Sequence, residues 1–280
     1  PGPGRGANAD VGESNYVIGT GWWCGSADGS GDRPLAKGDG IIRGVDFHRL
    51  WYAAIDHYTR PGKIFMVDSA SPVSPPLNRE DARIEYVRLD HHAGHSSVHT
   101  GRYAGWTRSV LLGIQYANLC QADYFVYVEQ DALVFGEEIV ETAISAKRRP
   151  YMFGHPGNTP QPLQQSFFLI RRDGYVPFLR RYAAVRSADS RVAPEKKFAL
   201  ASSRLLGVLP EFLFYTRSPT ASPLSRLFGR YDLLPFGYGR VRPVQFADPR
   251  FYFQHGSGEE IRRYCDLSGF APPGLRASAA

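Results

Sequence analysis

The fold is decided around an apolar run that ends in two acids, Tyr124-Phe125-Val126-Tyr127-Val128-Glu129-Gln130-Asp131. Its aromatic and β-branched residues are typical of a buried strand. Side chains alternate in an extended segment, so Glu129 and Asp131 are predicted to share one face and Gln130 to point away. A second apolar run, 132–135, follows at once. Carboxylates between two apolar runs are unfavourable unless they are paired or bind a metal ion, so we expect a site here rather than a plain polar strand end.

Apolar runs alternate with segments of helical period upstream of this strand. The predicted elements are strands at 16–23, 63–71 and 84–89 and helices at 47–58 and 106–119. Such alternation is typical of parallel strands covered by helices. The sequence therefore predicts an α/β fold with a mixed, mostly parallel sheet flanked by helices.

The second half of the chain is less regular. The predicted elements are a strand at 165–170, a helix at 175–182, a helix from Pro194 to Leu206 and a strand at 251–255. Pro, Gly, Arg and aromatic residues dominate 219–249, which predicts long loops over a site. The expected divisions are a lead-in at 1–14, an α/β half at 15–160, an irregular half of the same domain at 161–265 and a flexible tail at 266–280.

Composition restricts the class of protein. The chain has 280 residues, of which 43% are hydrophobic, and this is enough for a large core. Lys and Arg outnumber Asp and Glu by 33 to 27, a net charge of +6 that suits anionic ligands or an anionic membrane surface. The arginines are scattered rather than gathered with interleaved aromatics, so nucleic acid is not an expected partner.

The cysteines and the hydropathy pattern indicate the cellular compartment in which the protein is expected. Cys24, Cys120 and Cys265 fit neither a CxxC pair nor metal-ligand spacing, which indicates reduced thiols. No apolar run approaches the roughly 18 residues that span a bilayer, and no signal-peptide pattern is present. We expect a cytoplasmic protein. Its positive charge would allow it to associate peripherally with the inner face of a membrane.

The segment 124–131, coming after the helix 106–119, resembles the DXD segment of GT-A fold glycosyltransferases, here in the form Glu-x-Asp. The resemblance implies a Rossmann-like fold and a Mn or Mg ion that holds the diphosphate of a nucleotide sugar. The implied metal ligands are Glu129, Asp131 and a late histidine, His255. A histidine that caps the following Glu259-Glu260 helix start is the alternative for His255.

The resemblance also implies donor-binding residues. Strand ends in the family hold the base and ribose, and the matching positions here are Thr20, Gly21, Trp22, Asp68 and Ser69. The loop and helix start at 101–108 match the part that approaches the sugar nucleotide, and Arg102 and Arg108 suit a phosphate there. Glu129 and Gln130 complete the predicted donor set.

An acid at a helix start supplies the catalytic base in inverting members of the family. Glu195, in Pro194-Glu195-Lys196-Lys197, is the candidate, with Glu211 in reserve. The base would deprotonate an acceptor hydroxyl. An ordinary first-turn Glu that complements the helix dipole is the alternative.

Two further groups of residues are notable. His91, His92, His95 and His99 lie in a predicted loop without a nearby cysteine, which favours substrate contacts or polar surface over zinc. The aromatic and Arg-rich stretch 228–240 suggests a platform for sugar rings, with Arg240 among the arginines that reach phosphate or carboxylate groups, or else aromatics packed under a loop.

The sequence thus predicts transfer of a sugar from a nucleotide diphosphate donor to a hydroxyl of a glycan or lipid-linked acceptor, in cell-surface polysaccharide or glycoconjugate synthesis. A nucleotidyltransferase is less favoured, because bulky uncharged residues at 20–24 stand where a basic, Gly-rich triphosphate loop would be expected. A non-catalytic carbohydrate-binding or scaffold protein is the rival from another class, and it predicts that Glu129 and Asp131 bind no metal.

Overall fold

Strand β4 (Tyr124–Val128) lies in the middle of a seven-stranded sheet in the computed structural model, which describes residues 15–25, 40–96, 99, 101–270 and 272. The other strands of this sheet are β1 (Tyr16–Trp22), β2 (Lys63–Asp68), β3 (Ile84–Arg88), β6 (Tyr151–Gly154), β7 (Gln164–Arg171) and β8 (Asp232–Leu233). Their order is β3-β2-β1-β4-β7-β6-β8, and only β7 runs against its neighbours.

The apolar run of β4 is explained by burial on both faces of the sheet. Val126 and Val128 join one core cluster, while Phe125 and Tyr127 join the other. The prediction of a mixed, mostly parallel sheet flanked by helices is confirmed, and the arrangement is a Rossmann-like α/β fold.

Helices cover both faces. They are α1 (Val45–Tyr58), α2 (Gly105–Leu119), α3 (Ile139–Ala146), α4 (Arg172–Ala184), α5 (Pro194–Ser202), α6 (Arg204–Gly207), α7 (Ala221–Phe228) and α8 (Gly258–Ser268). Single 3₁₀ turns occupy Gly40–Arg43 and Glu211–Phe214. Helices α1, α3 and α8 contribute to the cluster that contains Val126, and α2, α4 and α5 contribute to the cluster that contains Phe125.

A second, three-stranded sheet joins the two halves of the chain. It consists of β5 (Ala132–Phe135), β10 (Phe251–Gln254) and β9 (Tyr238–Gly239), with β10 in the middle. Strand β10 runs antiparallel to β5 and pairs Gln254 with Ala132. Strand β10 is thereby brought beside the acidic segment that follows β4.

Several predicted boundaries were wrong. Strand β2 ends at Asp68 rather than residue 71, because the Asp68 carboxylate accepts a hydrogen bond from the Ser71 N–H and bends the chain. The helix from Pro194 stops at Ser202, and Ser203 caps the separate helix α6 through the Leu206 N–H. The segment predicted as loops at 219–249 contains α7, β8 and β9, and the two strands have only two residues each.

The remaining differences concern the ends of the chain. Helix α8 continues through Ser268, beyond the boundary expected at residue 265, and is stabilised by a capping box between Ser257 and Glu260. The predicted lead-in at 1–14, and the tail apart from 266–270 and 272, lie outside the described residues. Within the described ranges, none of the helices is long and apolar enough to cross a membrane.

Candidate active site

The turn between β4 and β5 carries the two predicted acids. Residues 129–131 form a tight turn, in which the Ala132 N–H donates to the Glu129 carbonyl at 3.0 Å, so the extended geometry expected for them was wrong. The two carboxylates nevertheless converge. Gln254 Nε2 donates to Glu129 Oε2 at 2.8 Å and to Asp131 Oδ1 at 2.9 Å.

Gln130 points elsewhere, and its amide pairs with the backbone of one residue after β1. The Trp23 N–H donates to Gln130 Oε1 at 2.6 Å, and Gln130 Nε2 donates to the Trp23 carbonyl at 3.0 Å. Gln130 therefore ties the end of β1 to the acidic turn.

His255 is held against the same turn by its backbone and its side chain. Its N–H donates to the Asp131 carbonyl at 3.3 Å, and its Nε2 lies 3.4 Å from Asp131 Oδ2. The residue follows the end of β10 with a φ of 57°, a left-handed conformation that is uncommon outside glycine. The predicted proximity of Glu129, Asp131 and His255 is observed.

The two acids have opposite pKa shifts. Burial, reinforced by the charge of Asp131, raises the pKa of Glu129 to about 8. Burial also acts to raise the pKa of Asp131, but hydrogen bonding to His255, the His255 charge and the Gln254 amide outweigh it and lower the pKa. At neutral pH the pair therefore tends to carry one negative charge rather than two. A cation bound beside the pair would favour the ionised form of Glu129 and so give the pair its second negative charge.

A cavity of about 400 Å³ opens over this turn. It lies outside the carboxyl ends of β1, β2 and β4, where ligands of open α/β sheets bind. Its lining residues are Gly21, Trp22, Trp23, Arg43, Val67, Ser69, His92, Gly94, His95, Ser96, Gly105, Trp106, Tyr127, Glu129, Gln130, Asp131, Gln165, Pro194, Glu195, Arg240 and His255.

Two glycines allow the walls of this cavity to approach each other. A Cβ at Gly105, the first residue of α2, would stand 2.9 Å from Ser69 Oγ, and one at Gly21 would stand 2.9 Å from Ser109 Oγ. A side chain at either position would separate α2 from the ends of β1 and β2. The α2 N-terminus therefore reaches the cavity, and it carries neither a side-chain cap nor an acid in its first turn.

Helix α5 brings Glu195 to the cavity and uses the two lysines that follow it as anchors. Lys196 Nζ donates to the carbonyls of Tyr215, Thr216 and Ser218 at 2.7 to 3.1 Å. Lys197 is fully buried and pairs with Asp189. The charged run predicted at the start of this helix thus contains one residue that lines the cavity and two that are structural.

Arg240 joins Glu195 to the acidic turn. Its Nη1 lies 3.5 Å from Glu195 Oε1, and its Nε donates to Gln254 Oε1 at 2.9 Å. Because Gln254 in turn donates to Glu129 and Asp131, a continuous polar network crosses the site. The sequence suggested Arg240 as an arginine for phosphate or carboxylate groups of a ligand, whereas its contacts with Glu195 and Gln254 were not predicted.

Five of the predicted site residues do not line the cavity. Thr20 and Asp68 are buried in the sheet, and Asp68 accepts hydrogen bonds from Tyr86 and Arg88. The others are held elsewhere. Arg102 donates to the carbonyls of Ala183 and Val185, Arg108 contacts His91 at 2.6 Å, and Glu211 accepts from the Arg186 and Ser187 N–H groups.

Sequence reasoning missed several lining residues. Arg43 belongs to a 3₁₀ turn with no motif, and Trp23 was included in the predicted first strand but left out of the donor-binding set, which ended at Trp22. Of the four clustered histidines, His92 and His95 line the cavity, and the rings of His92 and Trp23 lie 5.0 Å apart. The adjacent tryptophans Trp22 and Trp23 at the end of β1 were the available signal.

The donor set at the turn fits a hard divalent cation in its chemistry. Two carboxylates converge on one point, and Mg²⁺ is commonly bound by one or two carboxylates together with substrate phosphates and waters. Among the described residues, no three His, Cys, Asp or Glu side chains form a group that could hold a metal ion. Glu129 and Asp131 fit as a two-carboxylate set. Ligation by His255 stays a prediction, and its observed contact is with Asp131.

Comparisons with known proteins add no family to this geometry: no family model and no curated protein matches the chain.

Proposed function

We propose that this protein is a metal-dependent glycosyltransferase of the GT-A type that transfers a sugar from a nucleotide diphosphate sugar to a hydroxyl group of a glycan or lipid-linked acceptor. The observation that carries the proposal is the convergence of Glu129 and Asp131 within 3 Å of one Gln254 nitrogen at the carboxyl edge of the sheet. The cavity they face also contains Glu195 at a helix start.

The sheet supports the proposal at the level of fold. It is mixed, because β7 runs antiparallel to β4 and β6 within an otherwise parallel set. This is the kind of sheet that the resemblance implies, and the acids follow its central strand.

The charges around the cavity suit a diphosphate. Arg43 and Arg240 both line it, and both act to lower the pKa of Glu129. The N-terminus of α2 directs the positive end of a helix dipole toward the cavity, although its Ala104 and Gly105 N–H groups already donate to Asp189 and Gly94. The aromatic rings of Trp22, Trp23 and Trp106 supply apolar wall for a base or a sugar.

The chain's own residues have separable tasks in this reaction. Glu129 and Asp131 would hold Mn or Mg, and His255 and Gln254 would orient the Asp131 carboxylate. A bound divalent ion would neutralise the leaving diphosphate. In an inverting reaction, the proton of the attacking hydroxyl passes to a Glu195 carboxylate oxygen. Arg240 Nη1 lies 3.5 Å from one oxygen of that carboxylate.

Calorimetry with UDP, GDP and CDP, each with and without Mn²⁺, tests the donor site. We expect one nucleotide diphosphate to bind only with Mn²⁺ and Asp131→Asn to weaken that binding by roughly 10- to 100-fold or more. Asp123→Asn is the matched control, because Asp123 precedes β4 at the opposite edge of the sheet, where it pairs with Arg172. Metal-independent binding, or equal binding by the two variants, contradicts the proposal.

A further inference from the structure

A surface on the second half of the chain exposes apolar side chains beyond the cavity. It is formed by α6, the 3₁₀ turn Glu211–Phe214 and α7, and we name it the 204–230 surface. Its exposed apolar residues are Leu205, Val208, Phe212 and Leu227, at 51%, 81%, 60% and 73% exposure. Val208 and Leu227 are the most exposed large hydrophobic residues in the described part of the chain. Helix α6 packs against α7, and the Thr220 hydroxyl before α7 donates to the Leu213 carbonyl of the 3₁₀ turn, so these exposed residues lie on adjoining elements, as expected of an interaction site.

These side chains lie on the outer side of well-anchored elements. Each element buries a different residue inward: Leu206 and Phe214 are 0% exposed and Ala221 is 1% exposed. Ser203 Oγ donates to the Phe228 carbonyl at 2.7 Å, which links the start of α6 to the end of α7. The exposure is therefore a property of packed structure, with the inward face already occupied.

The same surface carries positive charge. Four exposed arginines lie within 204–230: Arg204, Arg217, Arg226 and Arg230. The one acid there is Glu211, so four positive charges against one negative give a net +3. Glu211 is bound to the Ser187 hydroxyl at 2.6 Å, and among the described residues none of the four arginines forms an ion pair.

We propose that the 204–230 surface docks on an anionic lipid bilayer, with its four apolar side chains entering the headgroup region and its arginines contacting lipid phosphates. Stable peripheral binding combines apolar insertion with attraction between basic residues and anionic lipids, and both are present here. A bilayer explains charge of one sign better than a second copy of this chain, because the same +3 surface would face itself.

Vesicle co-sedimentation of the full chain tests the docking. We expect binding to vesicles of phosphatidylcholine mixed with phosphatidylglycerol, weak binding to phosphatidylcholine alone, and release by high salt. The variant Arg217→Gln/Arg226→Gln should partition roughly 25-fold less, since each arginine near an anionic surface contributes about fivefold. Phe212→Ser/Leu227→Ser should lose at least as much.

Controls on other faces keep the test specific. Leu119→Ser changes a side chain that is 71% exposed at the end of α2, and Arg148→Gln changes an exposed arginine outside the surface. Both should bind vesicles like the unaltered chain, and all variants should keep its melting temperature. No binding to anionic vesicles, or binding by both double variants equal to that of the unaltered chain, overturns the proposal. A dimer that Phe212→Ser/Leu227→Ser separates, without vesicle binding, overturns it in favour of self-association.

Discussion

The Asp189–Lys197 pair and the Glu129–Asp131 pair are two groups of buried charge with very different partners. Asp189 accepts from the Ala104 N–H at 2.8 Å and the Thr107 hydroxyl at 2.6 Å, and Lys197 Nζ lies 2.7 Å from its other oxygen. Lys197 also donates to the Ser187 carbonyl at 2.7 Å. In contrast, Glu129 and Asp131 share one amide group and repel each other.

The difference separates a structural ion pair from a site. Asp189 holds the loop before α2, and Lys197 lies on α5, so the pair joins the two helices whose N-termini reach the cavity. Its charges are fully used within the protein. The acidic turn leaves carboxylate charge poorly compensated beside open space, and such a departure from complete pairing is expected at functional sites.

Replacing Glu195, which helix α5 brings to the cavity, should have the largest effect, and the effect should be on activity. We expect Glu195→Gln to lower sugar transfer by roughly 10²- to 10⁴-fold, as for loss of a general base, while nucleotide binding and the melting temperature stay unchanged. Glu211→Gln is the control, because Glu211 is bound to backbone N–H groups outside the cavity. Transfer is measured by release of the nucleotide diphosphate. Loss of activity in Glu211→Gln alone would reverse the assignment.

Breaking the structural pair should act on stability instead. Lys197→Met leaves Asp189 buried without a countercharge, and we expect a loss of about 3–5 kcal/mol in the free energy of unfolding. The double variant Asp189→Asn/Lys197→Met should recover most of it, since no charge remains buried. Urea unfolding measures both. If the single variant loses less than the double, an unpaired Asp189 charge is not what destabilises the protein.

The acidic turn, unlike the Asp189–Lys197 pair, should make the stability of the protein fall as the pH rises. The pKa of Glu129 is raised to about 8 in the folded protein, so its contribution is fully present below about pH 4.5 and is lost as pH rises through 8. Without divalent cations, stability should fall over this window by up to about 1.4 kcal/mol per pH unit. Glu129→Gln should flatten the slope and exceed the unaltered chain in stability at pH 8. A steeper slope in the variant would contradict the shift.

Removing the positive charge of Arg240, which lies beside the acidic turn, should have the smallest effect on stability. Arg240 is 30% exposed in its side chain and bonds only part of the network, so Arg240→Met should cost about 1 kcal/mol or less in unfolding free energy. Lys197→Met is the direct comparison, since both changes delete one cation. Equal losses in urea unfolding would show that a buried cation and a partly exposed cation contribute alike to stability. That result would contradict the distinction between the two pairs.

The sequence predicted those strands and helices whose apolar residues recur at a regular spacing along the chain. The apolar run of β4 and the helical spacing in α1 and α2 depend on burial of near neighbours, so their positions were right to within two residues. Strands β6, β8 and β9 and helix α7 were missed, and α8 was considered only as a helix start at Glu259-Glu260. The single strand β5 was seen only as an apolar run, because its partner β10 lies over a hundred residues away.

The candidate site divides in the same way. An acid-rich strand end is a local pattern that predicted Glu129 and Asp131, whereas Glu195 was predicted from its helix-start position through the family resemblance. Glu195, Lys196 and Lys197 are consecutive in one helix, and about 100° separates their directions, so packing alone decided that Glu195 lines the cavity. Gln254 and Arg240 joined the network through the pairing of β10 with β5 and β9. The sequence determined which groups can carry the chemistry, whereas long-range strand pairing and helix packing decided which of them meet, because those contacts leave no periodic trace along the chain.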